Sequence, residues 1–448
     1  MPRFTLLLTM CFVYILSSFV TSNMLQNFYV LLSVAVFFSF WLLLDKNPKI
    51  FTSVLLILGM GIHYATSGGG MVLFQGITQN MPLLAILILA PLLSVPLKRE
   101  GVIGSTVSYL DNLKNNQRKF FYGLSSVTAV VSPILNMGAL RIVHGFVENI
   151  KVAPKTLSKS YYIGFAPAVI WSPFFASVGI VIFYLDITYV SYLPVGIAFA
   201  FLQMVCGILL FGPHASRKRE VEMPNSSQTG TEQKKHVFML FSYVIFLIVL
   251  LISMEQLVHK SMLLLVSIVC LIVPFIWFTM RGTTAIFKKE LFLYKDKMLT
   301  QTKTEICLFL SAGVFGNAIS HTPVKTALEQ LMQWATLQSI GILFLLIVVC
   351  VTLFAMMGVH QIITVPLILT ALISGDIYIH PSLIAFMCIF SWMLSSALSP
   401  LNALNIIVAA SVKRNGIMVA YKWNGAYLLF ISLMGLTYVY VLNFVLRN

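Results

Sequence analysis

The sequence predicts an all-α polytopic membrane protein, with about 11 transmembrane helices and two re-entrant hairpins in two inverted-topology repeats. Three observations predict this. Of the 448 residues, 59% are hydrophobic and 10% are charged, with a mean hydropathy of +0.92, far from the balance of water-soluble domains. Apolar runs of about 17 to 25 residues, each able to cross a hydrocarbon layer about 30 Å thick, recur along the whole chain. Ser-Pro also interrupts two such runs, in WSPFFAS at 171–177 and in LSPLNAL at 398–404, at an offset of 227 residues.

The topology follows from charge. A net charge of +15 is spread over short basic loops. In a chain this apolar it marks the cytoplasmic face, where Lys and Arg collect, rather than a nucleic-acid partner. Spans near 4–20, 27–44, 50–66 and 81–97 carry the chain from a cytoplasmic N-terminus out, in, out and back to Lys98 and Arg99. The first segment also has features of a signal peptide, with Arg3 as its basic region and FVTS as a poor cleavage site. The apolar stretch 122–149 lies between two basic loops, so it enters and leaves on the inner face with Ser132 and Pro133 near its middle. Such a hairpin is tolerated at membrane depth only where protein or a water-filled cavity covers its backbone.

Spans near 160–185 and 190–212 lead to a polar, basic cytoplasmic linker at 213–237, which carries an Asn225-Ser226-Ser227 sequon that is silent on that face. Spans near 238–253, 262–279 and 305–320 follow. The run 340–374 is expected as a hairpin from the outer face, turning at Met357 to His360. Spans near 384–411 and 425–446 leave the C-terminus outside. The chain thus divides into an extra helix at 1–22, a first repeat at 23–212, the linker at 213–237 and a second repeat at 238–448. Repeats of opposite orientation place substrate sites near the bilayer midplane, on discontinuous helices. Proline removes a backbone donor and clashes one turn back. Each Ser-Pro is therefore expected to expose carbonyls and a new half-helix N-terminus beside a hairpin tip.

This pattern resembles the ion transporter superfamily, and most of all the divalent anion:sodium symporters. The shared features are an extra first span, two inverted repeats, one hairpin in each, and interrupted spans at WSPFFAS and LSPLNAL. The hairpin tips depart from the family's Ser-Asn-Thr, reading Ser132-Pro133-Ile134-Leu135-Asn136 and Gly358-Val359-His360-Gln361. The resemblance implies a homodimer in which a transport domain moves against a scaffold as an elevator. The connectors GVIGSTVSYLDNLKNNQ and TPVKTALEQLMQWATLQ would be its arms.

The expected binding residues are Ser172 and Pro173 at the first interruption and Ser399, Pro400 and Asn402 at the second. Ser132, Pro133 and Asn136 join them from the inner tip, and Gly358, His360, Gln361 and Thr364 from the outer tip. A structural kink is the plain reading of one Ser-Pro; two in symmetric places favour a site. His360 suits proton coupling or a neutral imidazole bonded to a carbonyl. Arg141 is either the partner of an anionic substrate or a side chain snorkelling with His144 and Glu148. Asn317 either lines the cavity or caps a helix end. Gly68-Gly69-Gly70 reads as a flexible outer loop.

Other chemistry is disfavoured. The six cysteines lie singly in apolar runs, so the one metal expectation is Na+ at the hairpin tips. Acids such as Asp186 and Asp376 lie at outer ends of spans, and no GxSxG, HExxH or GxxxxGK[ST] occurs. The expected function is secondary transport of a small anionic or polar organic solute through the bilayer. It is coupled to Na+ or H+, needs no organic cofactor and involves no enzyme chemistry. The alternative is a lipid-linked carrier or envelope-assembly protein that binds or flips an amphiphile.

Overall fold

The computed structural model describes residues 2–67, 69–74, 76–108, 110, 113, 116–148, 150, 152–212, 230–374 and 379–447. The described residues form helices and turns, without strands. Nine of the helices are long and apolar enough to cross a membrane. Backbone satisfaction explains why: in hydrocarbon, a helix pairs its own amides and carbonyls without water. Two expected spans are shorter, Pro2–Ser17 and Lys303–Ile319, at 16 and 17 residues. Most of the linker, Gly68, the sequon and Asp376 lie outside the described residues, as does part of the connector at 101–117. The chain is already helical from Gly230, well before the expected start near 238, because Glu, Gln and Lys prolong an apolar helix at little cost.

Two compact units emerge, and each draws on both halves of the chain. One comprises Met1–Leu92, Leu263–Trp334 and Ile362–Ile377. In it Lys303–Ile319 packs on Lys46–Ser67 and Asn23–Trp41. Gly313 on Lys303–Ile319 permits a close approach of the turn at Gly76, whose carbonyl oxygen a Cβ at 313 would strike. Asn80 Nδ2 donates to the Phe309 carbonyl at 3.1 Å, and Lys303 Nζ meets Asp45 Oδ2 at 2.9 Å.

The other unit comprises Leu93–Met262, Ala335–Gln361 and Tyr378–Asn448. It holds both interrupted spans. The first is Pro154–Trp171 followed by Ala176–Tyr184, and the second is Pro381–Leu398 followed by Ala403–Ser411. They pack on each other, on Tyr189–Phe211 and on Gly425–Arg447. Gln117–Leu135 lies against the first span and Ile340–Met356 against the second. Gly164 sets the first of these contacts, for a Cβ there would come within 2.4 Å of the Ser125 carbonyl oxygen.

Within 122–149 the helix is not broken at its proline. Helix Gln117–Leu135 runs through Pro133, and the break falls on Asn136, with φ 50°, before Met137–Val147. Asn is among the few side chains that tolerate this region, and its Oδ1 accepts from the Met137 amide at 2.7 Å. In 340–374 the positive φ, 88°, falls on Gly358. Helix Ile340–Met356 ends there, Gln361–Ser374 follows, and the division between units comes immediately after Gln361.

Candidate solute site at the interrupted helices

At the two Ser-Pro steps the backbone is nearly superimposable. Ser172 has φ −74° and ψ 129°, and Ser399 has φ −71° and ψ 123°, the extended conformation that a following proline imposes. Each serine amide closes the preceding helix, Ser172 on the Ala168 carbonyl at 3.0 Å and Ser399 on that of Ser395 at 2.9 Å. Each serine carbonyl then accepts from the amide three residues on, Phe175 at 3.1 Å and Asn402 at 3.2 Å. Each Oγ accepts from the amide two residues on, Phe174 and Leu401, both at 3.3 Å.

The serine hydroxyls also tie each break to its hairpin. Ser172 Oγ donates to the Pro133 carbonyl at 2.9 Å, and Ser399 Oγ donates to that of Ala355 at 2.8 Å. Both acceptors lie in the last turn of a helix, where intrahelical donors run out; the Ala355 carbonyl also accepts from the Gly358 amide at 3.2 Å. Serine thus acts twice. It turns the backbone and caps the arm that packs beside it.

Beyond this frame the copies diverge. Proline at 173 deprives the Val169 carbonyl of its donor, and Ser177 Oγ supplies one at 2.8 Å. Tyr192 and Tyr189 hydroxyls donate to the next two carbonyls, Ile170 at 2.8 Å and Trp171 at 2.9 Å. The first break is sealed, and its carbonyls are not exposed as the sequence suggested. At the offset of 227 these three donors become Leu404, Val419 and Gly416, none of which has a side-chain hydroxyl. At the second break Tyr162 Oη reaches the Ala397 carbonyl at 3.1 Å. Among the described residues, the Ser396 and Leu398 carbonyls have no donor.

Buried side-chain polarity is also uncompensated at the second break. Asn405, in the first turn after it, is fully buried, and among the described residues neither its Oδ1 nor its Nδ2 has a protein partner. Glycine at 416 leaves it room, since a Cβ there would stand 3.0 Å from Asn405 Oδ1 and 3.5 Å from Pro400 Cβ. Gln361, also fully buried, donates through Nε2 to Ser395 Oγ at 2.9 Å and Ser396 Oγ at 3.4 Å, while its Oε1 is unpartnered. A buried polar atom without a partner costs about 1–3 kcal/mol, which makes Asn405 and Gln361 Oε1 the candidate ligand contacts at this break.

The expected residues fall into distinct roles. Ser132 Oγ donates to the carbonyl of Thr128 at 2.6 Å within its own helix, and Asn402 Oδ1 caps the Ala403 amide at 3.0 Å. His360 is half-buried with its ring edge-on to Trp392 at 6.2 Å. Thr364, whose Oγ1 is buried and unpartnered, belongs to the first-described unit, as does Asn317. Arg141 is exposed on Met137–Val147. Sequence reasoning missed Asn405, Ser395, Ser396 and the three tyrosines. Superimposing the repeats at the offset of 227 would have exposed the contrast between Val178 and Asn405.

Electrostatically, the second break joins the negative end of one half-helix to the positive start of another. Its free groups are three kinds of acceptor oxygen and one carboxamide donor. Such a set is chemically complementary to a hydrogen-bond-donating or cationic group. No group of three or more His, Cys, Asp or Glu suited to a transition metal occurs among the described residues.

No family model and no curated protein matches the sequence. Among solved structures, the fold is similar to the crystal structure of the Alcanivorax borkumensis YdaH transporter, reported to have an unusual topology. The TM-score is 0.52 at 13% identity, covering 88% of this chain and 98% of that one. At this identity the likeness establishes a shared fold.

Proposed function

We propose that this protein is a secondary transporter of a small polar organic solute, bound at the second interruption and moved by alternating access in exchange for the energy of an ion gradient. The observation that carries this reading is the contrast between the two breaks. One has its carbonyls covered by Ser177, Tyr189 and Tyr192, while the other keeps the Ser396 and Leu398 carbonyls, Asn405 and Gln361 Oε1 available. Discontinuous helices of this kind form carrier sites in inverted-repeat membrane proteins. The similarity to the YdaH transporter fold supports the same class.

The surplus of acceptors favours a solute that donates hydrogen bonds over a bare anion. Na+ or H+ is the proposed coupling ion, and the elevator motion and homodimer implied by the symporter resemblance belong to the same proposal. Purified protein in proteoliposomes, screened with labelled polar solutes under imposed Na+, H+ and voltage gradients, tests it. Uptake that follows one gradient and falls at least tenfold in Asn405→Leu is the expected result. Uptake that ignores every gradient removes the coupling, and full activity in Asn405→Leu removes the site.

A further inference from the structure

A cavity lies at the other end of the first interrupted span. It measures about 390 Å³ and is lined by Gln117, Lys155, Thr156, Lys159, Leu210 and Phe211. Lys155 and Lys159 stand one turn apart on Pro154–Trp171, a spacing at which like charges repel. Among the described residues neither has a carboxylate within ion-pair distance. Lys159 Nζ is held instead by the Phe211 carbonyl at 3.1 Å, and Gln117 Nε2 is fixed on Thr156 Oγ1 at 2.7 Å. Two cations sharing one cavity, with no counter-charge among the described residues, call for an anion.

The surroundings identify which kind. Leu210 is 59% exposed, and Phe201, Leu202 and Leu209 of the same helix are exposed too, forming an apolar face of the type that meets lipid. The lysines belong to the basic cluster after 122–149 that the charge pattern assigns to the cytoplasmic side, where the leaflet is anionic and basic pockets between helices take phospholipid headgroups. From the cavity, the lysine pair and the adjoining apolar face, we propose that this site binds the phosphate headgroup of an anionic phospholipid, with an acyl chain along Leu210. The site is separate from the second interruption and does not depend on the transport reading.

The test is native mass spectrometry of the full-length protein in detergent with added phosphatidylglycerol or phosphatidylcholine, alongside inorganic phosphate alone. The proposal expects phosphatidylglycerol to be retained preferentially. Each lysine-to-glutamine change should weaken retention about fivefold, and Lys155→Gln with Lys159→Gln should remove the preference, while Lys155→Arg with Lys159→Arg restores it. The exposed pair Lys288→Gln with Lys289→Gln should leave retention unchanged, and melting curves of all variants identify any that misfold. Phosphate bound at the same lysines without lipid preference would reassign the cavity to a soluble anion and overturn the lipid proposal. Equal retention of both lipids by the folded glutamine and parent proteins would overturn the site altogether.

Discussion

Asn405 is the residue at which stability and function part company. Its carboxamide is buried with both polar atoms unpartnered, a condition that destabilises the empty protein. Asn405→Leu keeps the volume while removing the polar group, so it should raise the unfolding free energy by about 1–3 kcal/mol and abolish solute-induced stabilisation. Thermal unfolding with and without solute separates the two effects; a variant less stable than the parent would mean that Asn405 has a partner and is structural. This residue was hidden in the sequence because Asn402, just after Ser-Pro, drew the binding role, whereas its side chain caps the helix that follows. Three positions further along, the same residue type has no backbone amide to hold.

At the scale of the element, the two interrupted spans share one bonding frame but differ in how completely they are closed. Tyr189→Phe and Tyr192→Phe each remove one hydroxyl and leave a carbonyl at the first break without its donor. Each should lower stability by about 1–2 kcal/mol with little change in the apparent affinity for solute. Tyr162→Phe frees the Ala397 carbonyl at the second break and should change that affinity as well. Paired unfolding and flux measurements check this. Loss of flux in Tyr192→Phe at unchanged stability would place function at the first break instead. The interruptions themselves were legible, since proline within a long apolar run has one backbone consequence. The sealing was not, because its donors come from Tyr189 and Tyr192, on the next helix in the chain.

For the whole molecule, the re-entrant reading of 122–149 and 340–374 makes a topological prediction. Cysteines introduced at both ends of the inner hairpin should be labelled from the cytoplasmic side alone in intact cells, and labelling of its two ends from opposite sides would reverse every span downstream. A second prediction concerns pH. Asp45 lies between two helices, and its hydrogen bond with the Lys303 ammonium, reinforced by that charge, holds its carboxyl below its ordinary value. The pair therefore adds stability above about pH 4, which is lost as pH falls through the lowered value. The effect is small because Asp45 is exposed. In Asp45→Asn the melting temperature should vary less over that acid range, and an identical pH profile would show that the pair contributes nothing.

The sequence by itself determined the all-helical membrane class, the order of most helices and the paired interruptions. Each follows from local physics: hydrocarbon demands helices with their own hydrogen bonds satisfied, and proline breaks them wherever it falls in a span. Only the tertiary structure decided that each compact unit takes segments from both halves of the chain, that the helix runs through Pro133 as far as Leu135, and that one interruption is closed while the other stays open. Those outcomes depend on which distant side chains reach a freed carbonyl or a buried amide. Near-identical local geometry at two Ser-Pro steps left that choice to packing.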